Sequence, residues 1–172
     1  MRTAIIVLVS VKPDDLHEVD SVFNDLQTFS KRVDGVPKRS DAAKDFMSSL
    51  PPGHDPRKKH VFLAKIGEKA IGLLDMVADY PAPGTAFIGL LAIRESMHGT
   101  GLGRALCHTA EDFAQEHLKA KVIQLAVVES NPALEFWTKM GFRPTGEERL
   151  YQGERQRSRA ILMQKLLIPQ VD

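Results

Sequence analysis

The sequence has almost no cysteine, no long apolar run and almost no net charge. Its single cysteine, Cys107, excludes an intramolecular disulfide framework, and no Cys/His cluster has the spacing of a zinc site. No apolar run approaches the ~20 residues that cross a bilayer. The formal net charge is +1, so no overall field recruits nucleic acid or anionic lipid. We therefore expect no metal and no membrane partner, and the charge balance disfavours a nucleic-acid partner.

What is present is the composition of an ordinary globular protein, with 43% apolar and 26% charged residues. A length of 172 residues suits one domain over residues 1–172. The apolar start Ala4–Val11 is short and no small-residue cleavage pattern follows it, so a first strand and a cytoplasmic location are expected. Cys107 falls inside a helical pattern, which favours a buried small side chain over a reactive thiol.

Apolar spacing predicts the element order β α α β β β α β α β β. Strands are expected over Ala4–Val11, His60–Ile66, Ala70–Ala78, Ala86–Ile93, Val122–Val128, Gly146–Tyr151 and Ala160–Leu167. The second and third strands, and the last two, are each expected to form antiparallel hairpins. Because this order is no regular βαβ alternation, the sequence predicts an α/β (α+β) fold with a mixed, mostly antiparallel sheet of about seven strands flanked by helices.

The first two helices carry recognisable start signals. Pro13-Asp14-Asp15 opens a helix whose apolar period runs from Leu16 to Phe29. A shorter helix follows Ser40, whose hydroxyl is expected to cap it.

Residues 91–104 are the most informative stretch of the chain. An apolar strand ends at Ile93, three alternating glycines follow, and a helical pattern starts at Leu102. Glycines allow a ligand to approach the backbone, and the first N–H groups of a helix lack intrahelical partners, so this arrangement suits a phosphate. The pattern is neither a Rossmann fingerprint nor a P-loop. The alternative is a tight turn that needs glycine only for its backbone angles.

A second motif lies about thirty residues further on, at 131–142, with the sequence Asn-Pro-Ala-Leu-Glu-Phe-Trp-Thr-Lys-Met-Gly-Phe. Taken alone it indicates a helix capped by Asn131, with Pro132 in its first turn and a left-handed Gly141 at its end. Its apolar residues would face the core, and this structural interpretation is sufficient for the motif in isolation.

Together the two motifs resemble those of the GNAT superfamily of N-acetyltransferases, which transfer acyl groups from acyl-CoA. His-Gly-Thr-Gly-Leu-Gly at 98–103 looks like the family's Gln/Arg-x-x-Gly-x-Gly/Ala loop. Residues 131–142 look like its Asn…Ala…Phe-Tyr…Gly-Phe helix. The resemblance covers residues 60–142, and the first 58 residues only in element order.

The resemblance implies a GNAT-like fold that uses acetyl-CoA as co-substrate, without a metal. In that family the glycine loop holds the CoA pyrophosphate, the preceding strand pairs with the pantetheine arm, and a bulge in this strand aims an N–H at the thioester carbonyl. The implied CoA-binding residues are Leu91, Ala92, Ile93, His98, Gly99, Thr100, Gly101, Leu102, Gly103, Arg104, Asn131, Phe136 and Trp137.

Three positions depart from the family pattern. His98 replaces the usual Gln or Arg, which implies a pH dependence if its imidazole points at phosphate. The second motif is one residue short, so Ser130 or Asn131 takes the family's Asn position. Trp137 stands where many relatives have a tyrosine that protonates the departing thiolate, and an indole N–H cannot act as that acid. Tyr151 and Tyr80 are the only tyrosines that could replace it.

An attacking amine must lose a proton, which calls for a nearby carboxylate, histidine or water chain. Glu129 follows the Val122–Val128 strand, where the sheet of such folds splays open, and is the first candidate for this base. Asp75 in the third strand is the second. Tyr151 completes the catalytic candidates, and for either carboxylate a solvated or capping role remains the alternative.

The expected function is transfer of an acetyl group from acetyl-CoA to a primary amine by direct attack in a ternary complex. A small-molecule acceptor is expected, bound by Lys31–Arg39, Pro51–Lys59 and Tyr80–Gly84, and a homodimer is possible. Two alternatives stay open: a non-catalytic CoA-binding or sensing domain, or an acyltransferase for a protein amine or a charged tRNA. The second is motivated by Arg149, Arg155, Arg157 and Arg159 in the last hairpin.

Overall fold

The computed structural model describes residues 4–169 and contains one seven-stranded sheet. The strands are β1 (Val7–Ser10), β2 (Lys59–Ile66), β3 (Lys69–Ala78), β4 (Thr85–Ile93), β5 (Val122–Val128), β6 (Arg143–Gln152) and β7 (Arg157–Leu166). Their order across the sheet is β1-β2-β3-β4-β5-β7-β6. Only the β4–β5 pair is parallel, which confirms a mixed, mostly antiparallel sheet.

Five helices flank this sheet: α1 (Leu16–Phe23), α2 (Gln27–Asp34), α3 (Ala42–Ser48), α4 (Leu102–Glu116) and α5 (Leu134–Lys139). Residues of α1 and α3 pack on one face, around Leu63 and Leu73 of β2 and β3. Residues of α4 and α5 pack on the other face, around Leu74 and Ile123. Alternation of side chains along each strand supplies both cores, which is why the central strands are apolar on both faces.

The parallel β4–β5 pair separates halfway along its length. Pairing runs from Thr85↔Val122 to Ile88↔Leu125 and then stops, although β4 continues to Ile93 and β5 to Val128. On its other edge β4 stays paired with β3 as far as Gly72↔Ile93. The sheet therefore opens into a wedge between the second halves of β4 and β5, which is the splayed sheet anticipated near residue 129.

The prediction of a single helix from Leu16 to Phe29 is wrong, because a break after Phe23 separates α1 from α2. Long-range bonds hold this break: the Asp25 carbonyl accepts from the Glu95 N–H, and the Glu95 carboxylate accepts from the Phe29 N–H. The apolar period nevertheless continues, so Leu26 stays buried through the break. Local pattern gave the correct buried face but could not show the contacts that end the helix.

The predictions that Ser40 and Asn131 cap helices are both wrong. The Ser40 hydroxyl and N–H bond to the Glu154 carboxylate, and α3 begins at Ala42 without a side-chain cap. Asn131 precedes a turn rather than a helix, and α5 begins at Leu134. The far end of α5 is as expected: Gly141 has φ of 94°, and the Phe142 N–H reaches back to the Trp137 carbonyl.

The two hairpins are confirmed. β2 and β3 pair antiparallel around Gly67, whose φ is +58°, and β6 pairs with β7 over more residues than expected. β1 is shorter than the apolar run that predicts it. Within residues 4–169, no helix is long and apolar enough to cross a membrane.

Candidate active site

The glycine loop, residues 98–104, joins β4 to α4 with its backbone open to solvent. Gly99 and Gly101 have φ of 77° and 83°, a left-handed conformation that is strained for residues with a side chain. No atom lies within 4 Å of where a Cβ would stand on either residue. The Thr100 hydroxyl donates to the Met97 carbonyl at 2.6 Å and fixes the turn. The loop therefore presents bare peptide groups at the start of α4, as phosphate binding requires.

His98 ties this loop back to β4. Its Nε2 lies 2.8 Å from the Ile93 carbonyl oxygen and, in the tautomer with hydrogen on Nε2, donates to it. One ring nitrogen thus faces the end of the strand, leaving only Nδ1 free to meet a ligand. His98 positions the loop relative to the wedge.

The wedge edge of β4 offers backbone groups that no strand uses. The Arg94 N–H bonds to the Ile71 carbonyl of β3, so alternation turns the peptide groups of Leu91 and Ile93 toward the wedge. The Ile93 carbonyl is bonded by His98. An extended chain with amide groups fits this edge, because it would complete the ladder that β5 leaves.

These features belong to one cavity of about 740 Å³, the glycine-loop cavity. Its lining brings together nearly all the expected CoA residues: Leu91, Ala92, Ile93, His98, Gly99, Gly101, Leu102, Gly103, Arg104, Asn131, Phe136 and Trp137. Thr100 lies within the loop but does not line the cavity. Gly103 of α4 faces the Phe136 ring of α5, and a Cβ on Gly103 would lie 3.6 Å from that ring. The two helices therefore approach closely. The volume suits a ligand of cofactor size.

A second cavity of about 360 Å³, the aromatic cavity, lies on the α1–α3 side of the sheet. Six aromatic side chains line it: Phe23, Phe29, Phe46, Phe87, Trp137 and Tyr151. The charged residues on its wall, among those that the structure describes, are Asp34, Arg39, Asp45 and Asp75.

The two cavities meet at four residues that line both: Phe29, Leu91, Asn131 and Trp137. Trp137 is 8% exposed and is held edge-on between Phe136 and Phe142, at centroid distances of 5.0 and 5.2 Å. A group that reaches along the wedge from one cavity would therefore meet a molecule in the other beside this indole. Two reactants can be brought together here in a fixed orientation.

Asp34, the last residue of α2, was not among the sequence candidates. It is 4% exposed, and its Oδ1 accepts the Tyr151 hydroxyl at 2.8 Å. Within residues 4–169, Oδ2 has no hydrogen-bond partner, and the nearest cationic group to the carboxylate is Arg39 Nε at 3.9 Å from Oδ1. Burial raises the pKa of Asp34, although Tyr151 and Arg39 oppose this. The sequence signal was an acidic residue at a helix C-terminus, where the dipole disfavours negative charge.

The β6–β7 turn holds Asp34 in place. The Arg155 N–H donates to the Asp34 carbonyl at 2.8 Å. Gly153 lies so close that a Cβ on it would be 2.7 Å from the Asp34 Cα. The Tyr151 hydroxyl points at Asp34. Two causes raise the pKa of Tyr151: burial, which is the larger, and the contact with Asp34. The hydroxyl therefore keeps its proton at neutral pH and donates it in a hydrogen bond to Asp34.

Asp75 supports a bulge in β4. It pairs with Lys59 at 2.9 Å, and the two side chains are only 10% and 5% exposed. The strand register shifts at Gly89, and a Cβ there would lie 2.5 Å from the Asp75 Oδ2. Burial raises the pKa of Asp75, with Lys59 opposing the shift. The carboxylate occupies the space that glycine leaves and shapes the bulge.

Glu129 has a different setting from the other carboxylates. It follows β5, is 53% exposed in its side chain, and pairs with Arg159 at 3.3 Å. Arg159 also pairs with Glu148 at 3.1 Å. Glu129 lines neither cavity.

Of the three segments expected to bind an acceptor, only Lys31–Arg39 reaches the aromatic cavity, through Val33, Asp34 and Arg39. Pro51–Lys59 and Tyr80–Gly84 do not line it, because His54 Nε2 bonds to the Ala78 carbonyl and Lys58 to Asp79 at the far end of β3. The wall is completed instead by α1, α3 and Tyr151 of β6.

Cys107 is confirmed as a buried residue of α4. Burial, with Glu111 beside it, raises the pKa of its thiol to about 12. It lines neither cavity. Such a thiol is a poor nucleophile at neutral pH. Among residues 4–169 no three His, Cys, Asp or Glu side chains group as a metal site would require.

Comparisons with known proteins agree with this geometry. A family model described as the acetyltransferase (GNAT) family matches residues 20–142. An acetyltransferase structure from Thermus thermophilus matches at a TM-score of 0.77 and 24% identity, covering 97% of this chain and 100% of that one. Comparison with curated proteins gave no match.

Two further structures share the fold. One is a spermidine N-acetyltransferase from Vibrio cholerae in complex with CoA and spermine (TM-score 0.69, 16% identity, 96% of this chain and 97% of that one). The other is the ribosomal-protein-S18-alanine N-acetyltransferase from Escherichia coli (TM-score 0.66, 19% identity, 98% and 97%). These matches establish the architecture, and the side chains of the aromatic cavity must be interpreted from this chain itself.

Proposed function

The chain belongs to the GNAT family of acetyltransferases, and from this premise we propose that it transfers an acetyl group from acetyl-CoA to the primary amine of a small molecule. The observation that carries the proposal is the meeting of the two cavities at Trp137. One cavity offers the glycine loop and a free strand edge, and the other offers a carboxylate with one oxygen unpaired.

The residues of the glycine-loop cavity fit acetyl-CoA. Bare peptide groups at Gly99 and Gly101 and the start of α4 would bind the pyrophosphate, and exposed Arg104 would add a charge-assisted contact. The free edge of β4 at Leu91 would pair with the pantetheine amides. The bulge at Gly89 would direct a backbone N–H at the thioester carbonyl, where negative charge develops.

Asp34 is the proposed proton acceptor. Its raised pKa makes it a better base than an ordinary aspartate, and its Oδ2 is free to take a proton, directly or through one water. The amine nitrogen forms a bond to the acetyl carbon, the carbon–sulfur bond breaks, and the proton leaves the nitrogen for Asp34. Tyr151 steadies the carboxylate through its hydroxyl.

The CoA sulfur leaves as a thiolate. A thiol with a pKa of ~8.5 gives a tolerable leaving group near neutral pH. Trp137 beside the reacting centre can donate a hydrogen bond from its indole N–H but cannot give up that proton. No acyl-enzyme is formed, because Cys107 is buried away from both cavities.

The arginines of the last hairpin do not favour a nucleic-acid acceptor. Arg159 pairs with Glu129 and Glu148, and Arg149 bonds to the Tyr80 hydroxyl. Arg157 bonds to Gln152. The two glutamates balance the charge of Arg159, and the bonds of Arg149 and Arg157 hold those side chains against the protein, which makes all three less available to phosphates. The fold neighbours that act on spermidine and on a ribosomal protein alanine are consistent with an amine acceptor.

The experiment is a thiol-release assay with acetyl-CoA and a panel of amines, alongside calorimetry of acetyl-CoA binding. We expect micromolar-range binding, thiol release only with an amine present, and full activity in Cys107→Ser. Binding without release for any amine would show a non-catalytic CoA-binding domain. A burst of acetylated protein without amine would contradict direct attack.

A further inference from the structure

We propose that the acceptor is a small monoamine whose amino group is its only charge and whose body is an apolar ring on a short chain, such as a phenylalkylamine. This inference rests on the proposed function and adds the class of its substrate. It follows from the charges and the walls of the aromatic cavity.

The charges of the aromatic cavity leave one carboxylate without a matching cation. Asp75 is matched by Lys59 at 2.9 Å, and Asp45 by Arg39 at 3.0 Å. Asp34 is left with a neutral hydroxyl from Tyr151 and with Arg39 at 3.9 Å. Its Oδ2 has no hydrogen-bond partner within residues 4–169. A buried carboxylate in this state gains from one cation and offers no place for a second.

The remaining wall is mainly apolar and aromatic. The same space that Asp34 and Tyr151 line is also lined by five aromatic rings, Phe23, Phe29, Phe46, Phe87 and Trp137. Phe23 and Phe46 already pack edge-to-face at 6.0 Å, the arrangement that a further ring can extend. An apolar cavity of about 150 Å³ takes up benzene. The cavity of about 360 Å³ therefore has room for a ring and a short aminoalkyl chain beside the acetyl group.

The same charges disfavour the other common amines. The carboxylate of an amino acid would need a free cation, but Asp45 engages Arg39 and Asp75 engages Lys59. A polyamine would place its further ammonium groups against neutral pairs and phenyl rings, where each loses hydration without compensation. A monoamine with no other charge has neither an unpaired carboxylate nor a second ammonium group to desolvate.

The test compares amines that share a body and differ in charge. The probes are 2-phenylethylamine, L-phenylalanine, which adds a carboxylate to the same skeleton, and spermidine. Calorimetry on the full chain loaded with CoA measures binding, and thiol release from acetyl-CoA measures kcat/KM. We expect 2-phenylethylamine to bind at least tenfold more tightly than either of the others and to have the highest kcat/KM.

A specificity switch gives a second readout. Asp45→Asn releases Arg39 and removes the cavity's net negative charge, so the kcat/KM ratio of L-phenylalanine to 2-phenylethylamine should rise about tenfold or more. Asp55→Asn is the matched control, because it breaks an exposed Asp–Arg pair outside both cavities and should leave the ratio unchanged.

The outcomes separate the two proposals. Tight binding of 2-phenylethylamine without thiol release would support the acceptor class and overturn catalysis. Thiol release that is faster with spermidine or L-phenylalanine would overturn the acceptor class and leave catalysis standing. Failure of 2-phenylethylamine in both measurements also overturns the acceptor class, as does an unchanged ratio in Asp45→Asn.

Discussion

Three carboxylates, Glu129, Asp75 and Asp34, differ in burial and in the partners that they contact. Glu129 is exposed and paired with Arg159, and Asp75 is buried and paired with Lys59. Asp34 is buried with one oxygen free. Burial raises the pKa of Asp34, and its free Oδ2 faces no cation among residues 4–169 that holds the anion, a setting that suits a proton acceptor. The proposed proton transfer therefore rests on Asp34.

Asp34→Asn should lower kcat for amine acetylation by roughly 10²–10⁴-fold, because the amide cannot take a proton. Binding of acetyl-CoA should not change, since Asp34 does not line the glycine-loop cavity. Asp41→Asn, an exposed position at the start of α3, is the control. A variant with near-wild-type kcat would place the base elsewhere.

The same residue predicts the pH dependence of the wild type. Asp34 must be ionised to act, so kcat should fall as pH drops through its raised pKa, with Tyr151, Arg39 and Glu154 as the facing groups. The acid limb should thus lie above the range of an ordinary aspartate. It should disappear in Asp34→Asn.

At the scale of elements, the glycine loop and the wedge edge of β4 are the backbone groups on which the proposed binding of acetyl-CoA rests. The loop contributes peptide groups with no side chain in the way, and β4 contributes an edge that β5 does not pair. Neither depends on a particular side chain at its contact points. Substitutions that add bulk here should therefore act on ligand binding before they act on stability.

Gly101→Glu should abolish measurable binding of acetyl-CoA in calorimetry. The new side chain would project into the glycine-loop cavity and place a negative charge where the pyrophosphate is expected. It also strains a residue with φ of +83°. Gly53→Glu is the matched control. Gly53 has φ of +74° and, like Gly101, no atom within 4 Å of a Cβ position, but it lines neither cavity. Equal losses in both variants would point to strain alone.

Elements that depend on neighbours in the chain were predictable from sequence, and those that depend on distant contacts were not. The β2–β3 hairpin, the left-handed Gly141 and the glycine loop are set by local backbone angles. The break between α1 and α2 depends on Glu95, and the setting of Asp34 depends on a tyrosine 117 residues away. No periodicity encodes such pairs, so Asp34 was missed as a candidate, although Asp75 and Tyr151, which line the same cavity, were predicted.

At the scale of the whole molecule, two cores share one sheet whose halves meet at β4 and β5. α1 and α3 cover one face, and α4 and α5 cover the other. The halves are joined by a short parallel ladder that ends at Ile88↔Leu125. A ligand lying in the wedge would contact both halves and should stabilise the fold as a unit.

Acetyl-CoA at about 100 times its Kd should stabilise the native state by about 2.7 kcal/mol. For a domain of this size that corresponds to a rise in Tm of roughly 5–10 °C in a thermal melt. The melt should keep a single transition, and Gly101→Glu should lose the shift. A rise of the same size in Gly101→Glu would mean that acetyl-CoA binds away from the glycine loop.

The wedge also bears on how the protein avoids self-association. Unpaired strand edges are the usual places where chains stack on one another and aggregate. A foreign strand inserted here would need the ~4.8 Å spacing on both of its sides. The ladder closes the wedge at Ile88↔Leu125, and Trp137 lines the space beyond it. Because β4 and β5 diverge beyond that ladder, an inserted polypeptide strand could not pair with both edges at once, and the shape of the gap thus disfavours stacking of chains.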